Sequence, residues 1–351
     1  MEQKEKKKRF PVRWIILVSL LLFVWMAMSS VGIGEWYAQT VYPLISAFLS
    51  RFASIVPFSV GDCFIYGSIV GLLIYLFTSI FKRKNFWRVL RNIVEYLAWV
   101  YVWFYMAWGL NYFRQGFYQR LQITPVAYSE ASFRSFLTAY TEALNHSFCL
   151  FTEINEDLVD REIKRNYATI STQFQIIQPK DYQRGKNMLI SRLMSAVGVR
   201  GYMGPFFSEY HLNAELQTVE WPSVYAHEMA HLLGISSEAE ANLCSYLVCV
   251  RSDIPEIRFS GYFSILPYVI GNAYRLLPEK EYKLWVETLY PEVRQLYNDK
   301  NAYWQSHYSP LIGEAQDKMY NLFLKGNQIS SGTANYSEVI ALLMAYQQEH
   351  D

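Results

Sequence analysis

Residues 222–242 read PSVYAHEMAHLLGISSEAEAN, two helices joined by a glycine turn. Pro222 suits the first turn of a helix. Val224, Ala226, Met229, Ala230, Leu232 and Leu233 make that helix apolar almost all round, the mark of a buried element. Gly234 suits its C-terminal cap. Ser237, followed three residues on by Glu240, has capping-box spacing and opens the next helix. His227 and His231 are four apart, share one helix face and aim their imidazoles at one point. Two histidines and Glu228 in so apolar a helix are costly unless something engages them. From 222 to about 349 the pattern predicts five or six helices with little strand signal, so the fold class is mainly α.

The residue types point to a metal. Neutral imidazole is a good ligand for Zn2+, and Glu228, beside the first ligand, can reach a water on the ion without binding the ion itself. This is the H-E-x-x-H arrangement of zinc peptidases. A catalytic zinc usually has three protein ligands and one open position. Glu238 and Glu240 compete for the third place. Glu240 has a structural job in the capping box, whereas Glu238 shares a face with Asn242, which can orient its carboxylate. The pattern therefore favours Glu238, with Glu240 or a distant residue as alternatives. In this reading Glu228 is the general base: it takes a proton from a zinc-activated water as the water attacks a peptide carbonyl.

Other polar residues have simpler readings. His211 has two readings, a metal ligand or, favoured, an exposed residue of a short extended piece at 206–213, a candidate edge strand for an extended substrate. His307, Arg258, Tyr262 and Tyr268 are candidates for steadying an oxyanion, each with a structural role as the plainer alternative. Cys244 and Cys249 lack metal-site spacing, and Cys149 is a candidate to pair with one of them.

Upstream, the chain looks like a membrane anchor. Residues 14–34 are 21 residues without a charge, enough to cross a hydrocarbon core about 30 Å thick. Further spans are expected at about 62–81 and 93–112, the last rich in Trp and Tyr. Lys4, Lys6, Lys7, Lys8, Arg9 and Arg13 precede the first span, and Lys82, Arg83, Lys84, Arg88 and Arg91 separate the second from the third. Positive charge stays inside. Hence the N-terminus is expected in the cytoplasm, and residues 114–351 form an extracytoplasmic domain after a 1–113 anchor. Residues 40–56, interrupted by Pro43 and Arg51, read as an interfacial helix. Gly67 and Gly71 make a G-x-x-x-G pair, too common in such spans to decide anything. Downstream, 129–145, 154–166 and 187–196 read as helices and 168–178 (ATISTQFQIIQ) as a strand.

Composition agrees with a partly lipid-facing protein. Of 351 residues 52% are apolar and 18% charged, against about 25% charged in ordinary soluble domains. A net charge of +1 gives no basic field for nucleic acid.

The Glu238-x-x-Ala241-Asn242 pattern resembles the E-x-x-A-[DN] helix of gluzincin-type peptidases, in which the first Glu binds zinc; the spacer after His231 is shorter here. The whole chain resembles a bacterial family of uncharacterised membrane proteins bearing a zinc-peptidase signature. The resemblance rests on Trp108–Tyr112 (WGLNY), Gly204–Glu209 (GPFFSE), Ala226–Asn242, Arg258–Tyr262 (RFSGY) and Tyr320–Tyr336 (YNLFLKGNQISSGTANY). It implies a three-span anchor and an H-E-x-x-H domain. The fold expected is N-terminal transmembrane helices followed by a mostly helical, zincin-like α+β domain with a small edge sheet.

The expected function is a membrane-anchored zinc metallopeptidase of the cytoplasmic membrane. Its cofactor would be Zn2+, and its partners the lipid bilayer and peptide or protein substrates at the outer face. The competing readings are an intramembrane protease, a non-catalytic zinc-binding sensor or scaffold, and a zinc hydrolase of non-peptide envelope material. Glu215, Glu220, Glu228, Glu238 and Glu240 argue against the first, and the presence of Glu228 as a base argues against the second.

Overall fold

The computed structural model describes residues 12–125, 130–151, 153–327 and 338–350. The basic cluster Lys4–Arg9 and the stretch 328–336 lie outside the described residues. The structure is mainly helical, with one small sheet. The N-terminal part holds α1 (Val12–Met28), α2 (Val31–Trp36), a π-turn at 37–41, α3 (Tyr42–Ala53), α4 (Val60–Phe81) and α5 (Phe86–Ala107). After a 3-10 turn at 109–113 come α6 (Phe117–Leu121), α7 (Glu130–Ser147) and α8 (Glu156–Ile170). The sheet segment follows: β1 (Lys186–Asn187), α9 (Ser191–Ser195), β2 (Gly201–Gly204) and β3 (Glu209–Leu212). The remainder is α10 (Trp221–Leu232), α11 (Glu238–Val250), α12 (Pro255–Leu276), α13 (Glu279–Thr288), α14 (Pro291–His307), α15 (Pro310–Gly326) and α16 (Val339–His350).

Among the described residues one helix, α4, is by itself long and apolar enough to cross a membrane. It leaves Ile69, Val70, Leu73, Ile74 and Phe77 exposed. The segments Val12–Met28 and Val31–Ala53 meet the same measure only as a pair, bent by 107°. The third expected span, 93–112, falls on α5 and the 3-10 turn that follows it. Helix α5 carries Arg88, Arg91 and Glu95, and is not apolar enough by that measure. Toward its C-terminal end Val102, Tyr105 and Ala107 are buried while Tyr101 and Trp103 are exposed, and Trp108, Leu110 and Phe113 beyond it are buried. Helix α3 is amphipathic as expected, with Tyr42, Ser46, Leu49 and Ala53 buried and Leu44 and Phe48 exposed.

The strand expected at 168–178 is not formed. Asn155 caps α8 by accepting from Leu158 N, and the helix runs on to Ile170, with turns beyond it. Ile170 and Phe174 are buried four residues apart, so packing on a helical period overrides the local β preference of the Thr and Ile residues. The helix expected at 187–196 shrinks to α9. The strands line up in the order β1–β3–β2, β1 parallel and β2 antiparallel to β3, with Gly201 opposite Leu212 and Gly204 opposite Glu209. β3 is therefore the central strand and β2 an edge.

One large core joins α7, α8, α10, α11, α12 and α16, with Phe133, Ile163, Tyr167, Met229, Leu243 and Phe263 among its buried members. A second cluster of Val24, Tyr37, Tyr42, Tyr105 and Trp108 packs the N-terminal segment. The two parts meet at the end of α10. The last carbonyls of any helix lack intrahelical partners. Here Tyr42 Oη donates to Leu232 O (2.6 Å) and Trp108 Nε1 to His231 O (2.9 Å). Arg114 Nη1 donates to Gly234 O (3.3 Å), and Ser236 Oγ to Asn111 O (3.1 Å).

Candidate metal centre

Helix α10 is buried along most of its length, as its apolar composition requires. It ends at Gly234, whose φ of +102° strongly favours glycine. This turn puts the Ile235 carbonyl 2.7 Å from His231 Nδ1. An Nδ1–H donated there leaves Nε2 with a lone pair aimed away from the backbone, the usual arrangement behind a ligating histidine. The same turn starts α11 with Ser237 as its cap, accepting from Glu240 N (3.4 Å), and lays Glu238 against the two histidines.

His227, His231 and Glu238 form the one cluster of potential metal ligands found among the described residues. His227 Nε2 lies 3.1 Å from His231 Nε2 and 3.2 Å from Glu238 Oε2, and His231 Nε2 lies 3.6 Å from Glu238 Oε2. Ligands about 2.0–2.1 Å from a tetrahedral zinc stand about 3.3 Å apart. The triangle is the right size and its donors are the right kind. Tyr320 Oη donates to the other oxygen of Glu238, Oε1 (2.6 Å), which holds the carboxylate in place.

The electrostatics have the same sense. Burial opposes ionisation of Glu238, but His231 and His227 outweigh it and hold the carboxyl well below its usual range. Burial likewise opposes a proton on His231, but Glu238 prevails and lifts the imidazole to about 9. The carboxylate and the imidazoles thus hold each other by charge. Burial pushes the Glu228 carboxyl up to about 7, against the pull of His227 and His231. Its Oε2 is buried with no hydrogen-bond partner, an orphaned acceptor beside the cluster. Strand β2 passes so close that a Cβ on Gly201 would stand 2.4 Å from Glu228 Oε1.

The cluster opens into a cleft of about 750 Å³, lined also by Trp108, Tyr112, Met203, Tyr268 and Lys300. Several other expectations are revised here. Glu240 is paired with the buried Arg120. Asn242 Nδ2 donates to Tyr268 Oη (3.3 Å). His211 is not exposed: it is fully buried on β3, its ring stacked 4.6 Å from Tyr202, and it is not part of the cluster. The strand bordering the cleft is the edge strand β2, whose Gly201, Tyr202 and Met203 line it. Of the four oxyanion candidates only Tyr268 lines the cleft; Arg258, Tyr262 and His307 do not. All four cysteines are unpaired. Arg120 carried no sequence signal, and Tyr320, although it opens one of the stretches that carry the resemblance, carried none for this role, since each reaches its glutamate from far along the chain.

The fold and site define a mainly helical protein with one or two helices apolar enough for a bilayer and a buried His–His–Glu cluster at the floor of a cleft. The chain belongs to the DUF3810 family, described as "Protein of unknown function (DUF3810)", whose model matches residues 37–344. No curated protein and no solved structure matches it.

Proposed function

We propose that the protein is a membrane-anchored zinc metallopeptidase. One observation carries this reading: two imidazole Nε2 atoms and a carboxylate oxygen stand 3.1–3.6 Å apart with the orphaned Glu228 carboxylate beside them. His227, His231 and Glu238 would hold the ion. Zinc bound there would supply Lewis-acid chemistry, polarising a carbonyl and acidifying water. Glu228 takes the proton of the attacking water and hands it to the leaving amine. The Ile235 carbonyl and Tyr320 keep two of the ligands in position. Strand β2, an edge strand on the cleft, offers backbone groups for an extended peptide to pair with.

The anchor and its orientation belong to the same proposal. The N-terminal end of α4 is tied to the sheet, where Gly61 N donates to Glu209 Oε2 (2.8 Å) and Leu189 N to Asp62 Oδ2 (3.2 Å). The C-terminal end of α5 is tied to α10 through Trp108. The turn 82–85 joins the opposite ends of α4 and α5, and with the first turns of α5 it makes the basic segment 82–91. With that segment in the cytoplasm, the cleft lies at the outer face of a multi-pass membrane protein, and its substrates are peptides or proteins there.

Digestion of a mixed peptide library by the purified full-length chain tests the activity. The Glu228→Gln variant should keep its zinc and cleave at least about 10²-fold more slowly, as for loss of a general base. Cleavage unchanged by Glu228→Gln contradicts the reading.

A further inference from the structure

Beyond the histidines, the same cleft holds a second polar feature, formed by Lys300 on α14 and Arg200 just before β2. Lys300 is 3% exposed. Its Nζ lies over the rings of Phe263 (4.7 Å) and Tyr297 (5.3 Å). Aromatic faces offset part of the desolvation of an ammonium but provide no counter-charge. Among the described residues no carboxylate lies within ion-pair distance of it. The nearest acid in the charge balance, Glu220, is already engaged: Arg200 Nη1 is 3.4 Å from its Oε1, and Trp304 Nε1 donates to its Oε2 (2.7 Å). Burial first, and Arg200 second, pull the Lys300 ammonium down to about 8. The far side of the cleft thus carries one more positive charge than it can neutralise.

Its place along the cleft is informative. Arg200 directly precedes Gly201, the residue that abuts Glu228. An extended chain advances about 3.3 Å per residue. A peptide paired with β2 would therefore meet Arg200 within a residue or two of the bond facing Glu228, with Lys300 lining the same cleft. Resting on the metallopeptidase reading for the nature of the ligand, we propose that Lys300 and Arg200 form an anion subsite. It takes a carboxylate of the substrate, one or two residues from the bond that is cleaved. That carboxylate is either the chain's C-terminus or an Asp or Glu side chain.

Binding measured without turnover tests this. The full-length chain carrying Glu228→Gln is titrated, with zinc and after chelation, with three dansylated tetra-alanine probes. One has a free C-terminal carboxylate, one a C-terminal amide, and one is the amide with Asp as its last residue. At least one acidic probe should bind at least about tenfold tighter than the neutral amide, with or without zinc. Preference for the first assigns the C-terminus, and preference for the third a side chain. Lys300→Met should remove the preference and Lys300→Arg should keep it. Arg200→Gln, on the half-exposed rim, should reduce it and serves where Lys300→Met fails to fold. Equal binding of all three probes, binding of none, or a preference untouched by Lys300→Met in the chelated protein overturns the subsite. Zinc binding and hydrolysis with no acid preference would overturn the subsite alone. Acid preference in a chain that holds no zinc and cleaves nothing would overturn the metallopeptidase reading and leave the subsite standing.

Discussion

Glu238 and Glu240 stand two residues apart in the first turn of α11, yet their carboxylates go to different places. Glu238 faces His227 and His231, while Glu240 pairs with the buried Arg120. Removing Glu240 strands a buried guanidinium, so Glu240→Ala should destabilise the protein by about 3–5 kcal/mol with zinc still bound. That is more than a lost helix cap costs. Glu238→Ala should instead lose the metal, with a fall in melting temperature no larger than that caused by chelating zinc from the native chain plus loss of the Glu238 contacts. Tyr320→Phe removes the bond to Glu238 Oε1 and should weaken zinc binding about 10–100-fold. Asn242→Ala should weaken it less, because Asn242 is bonded to Tyr268 rather than to Glu238. Zinc dissociation constants and melts of the four variants check these assignments. Loss of zinc in Glu240→Ala with retention in Glu238→Ala would reverse them.

At the scale of elements, α10 and β2 make the site together, and β2 acts through what it lacks. A methyl at position 201 would stand 2.4 Å from Glu228 Oε1. Gly201→Ala should therefore displace the carboxylate and slow hydrolysis by about 10²-fold or more while zinc stays bound. Unchanged turnover in that variant would show that Glu228 has room to spare. The α10–turn–α11 unit was legible because its signals are local: apolar spacing, Pro222, Gly234 and the Ser237 cap all fall within 21 residues. β2 was not, because four residues of which two are glycine show no alternation of apolar and polar side chains. The 168–178 segment misled because its β-branched residues sit at the end of a helix packed by Ile170 and Phe174. Tyr320 reaches Glu238 across 82 residues, and no spacing rule covers that distance.

At the scale of the whole molecule, the N-terminal helices bear directly on the site. Tyr42 and Trp108 donate to the last carbonyls of the helix that bears both histidines, so the N-terminal segment and the site share hydrogen bonds. The proposed orientation has a direct check: an extracytoplasmic reporter fused after Asp351 should be active and a cytoplasmic one silent. The reverse result would place residues 40–56 across the bilayer. The claim on which everything else depends is that His227 and His231 bind a metal. Elemental analysis of the purified full-length chain measures it most directly. The geometry predicts one zinc per chain, retained in Glu228→Gln and lost in both His227→Ala and His231→Ala. Full zinc occupancy in the two histidine variants, or none in the native chain, would contradict it.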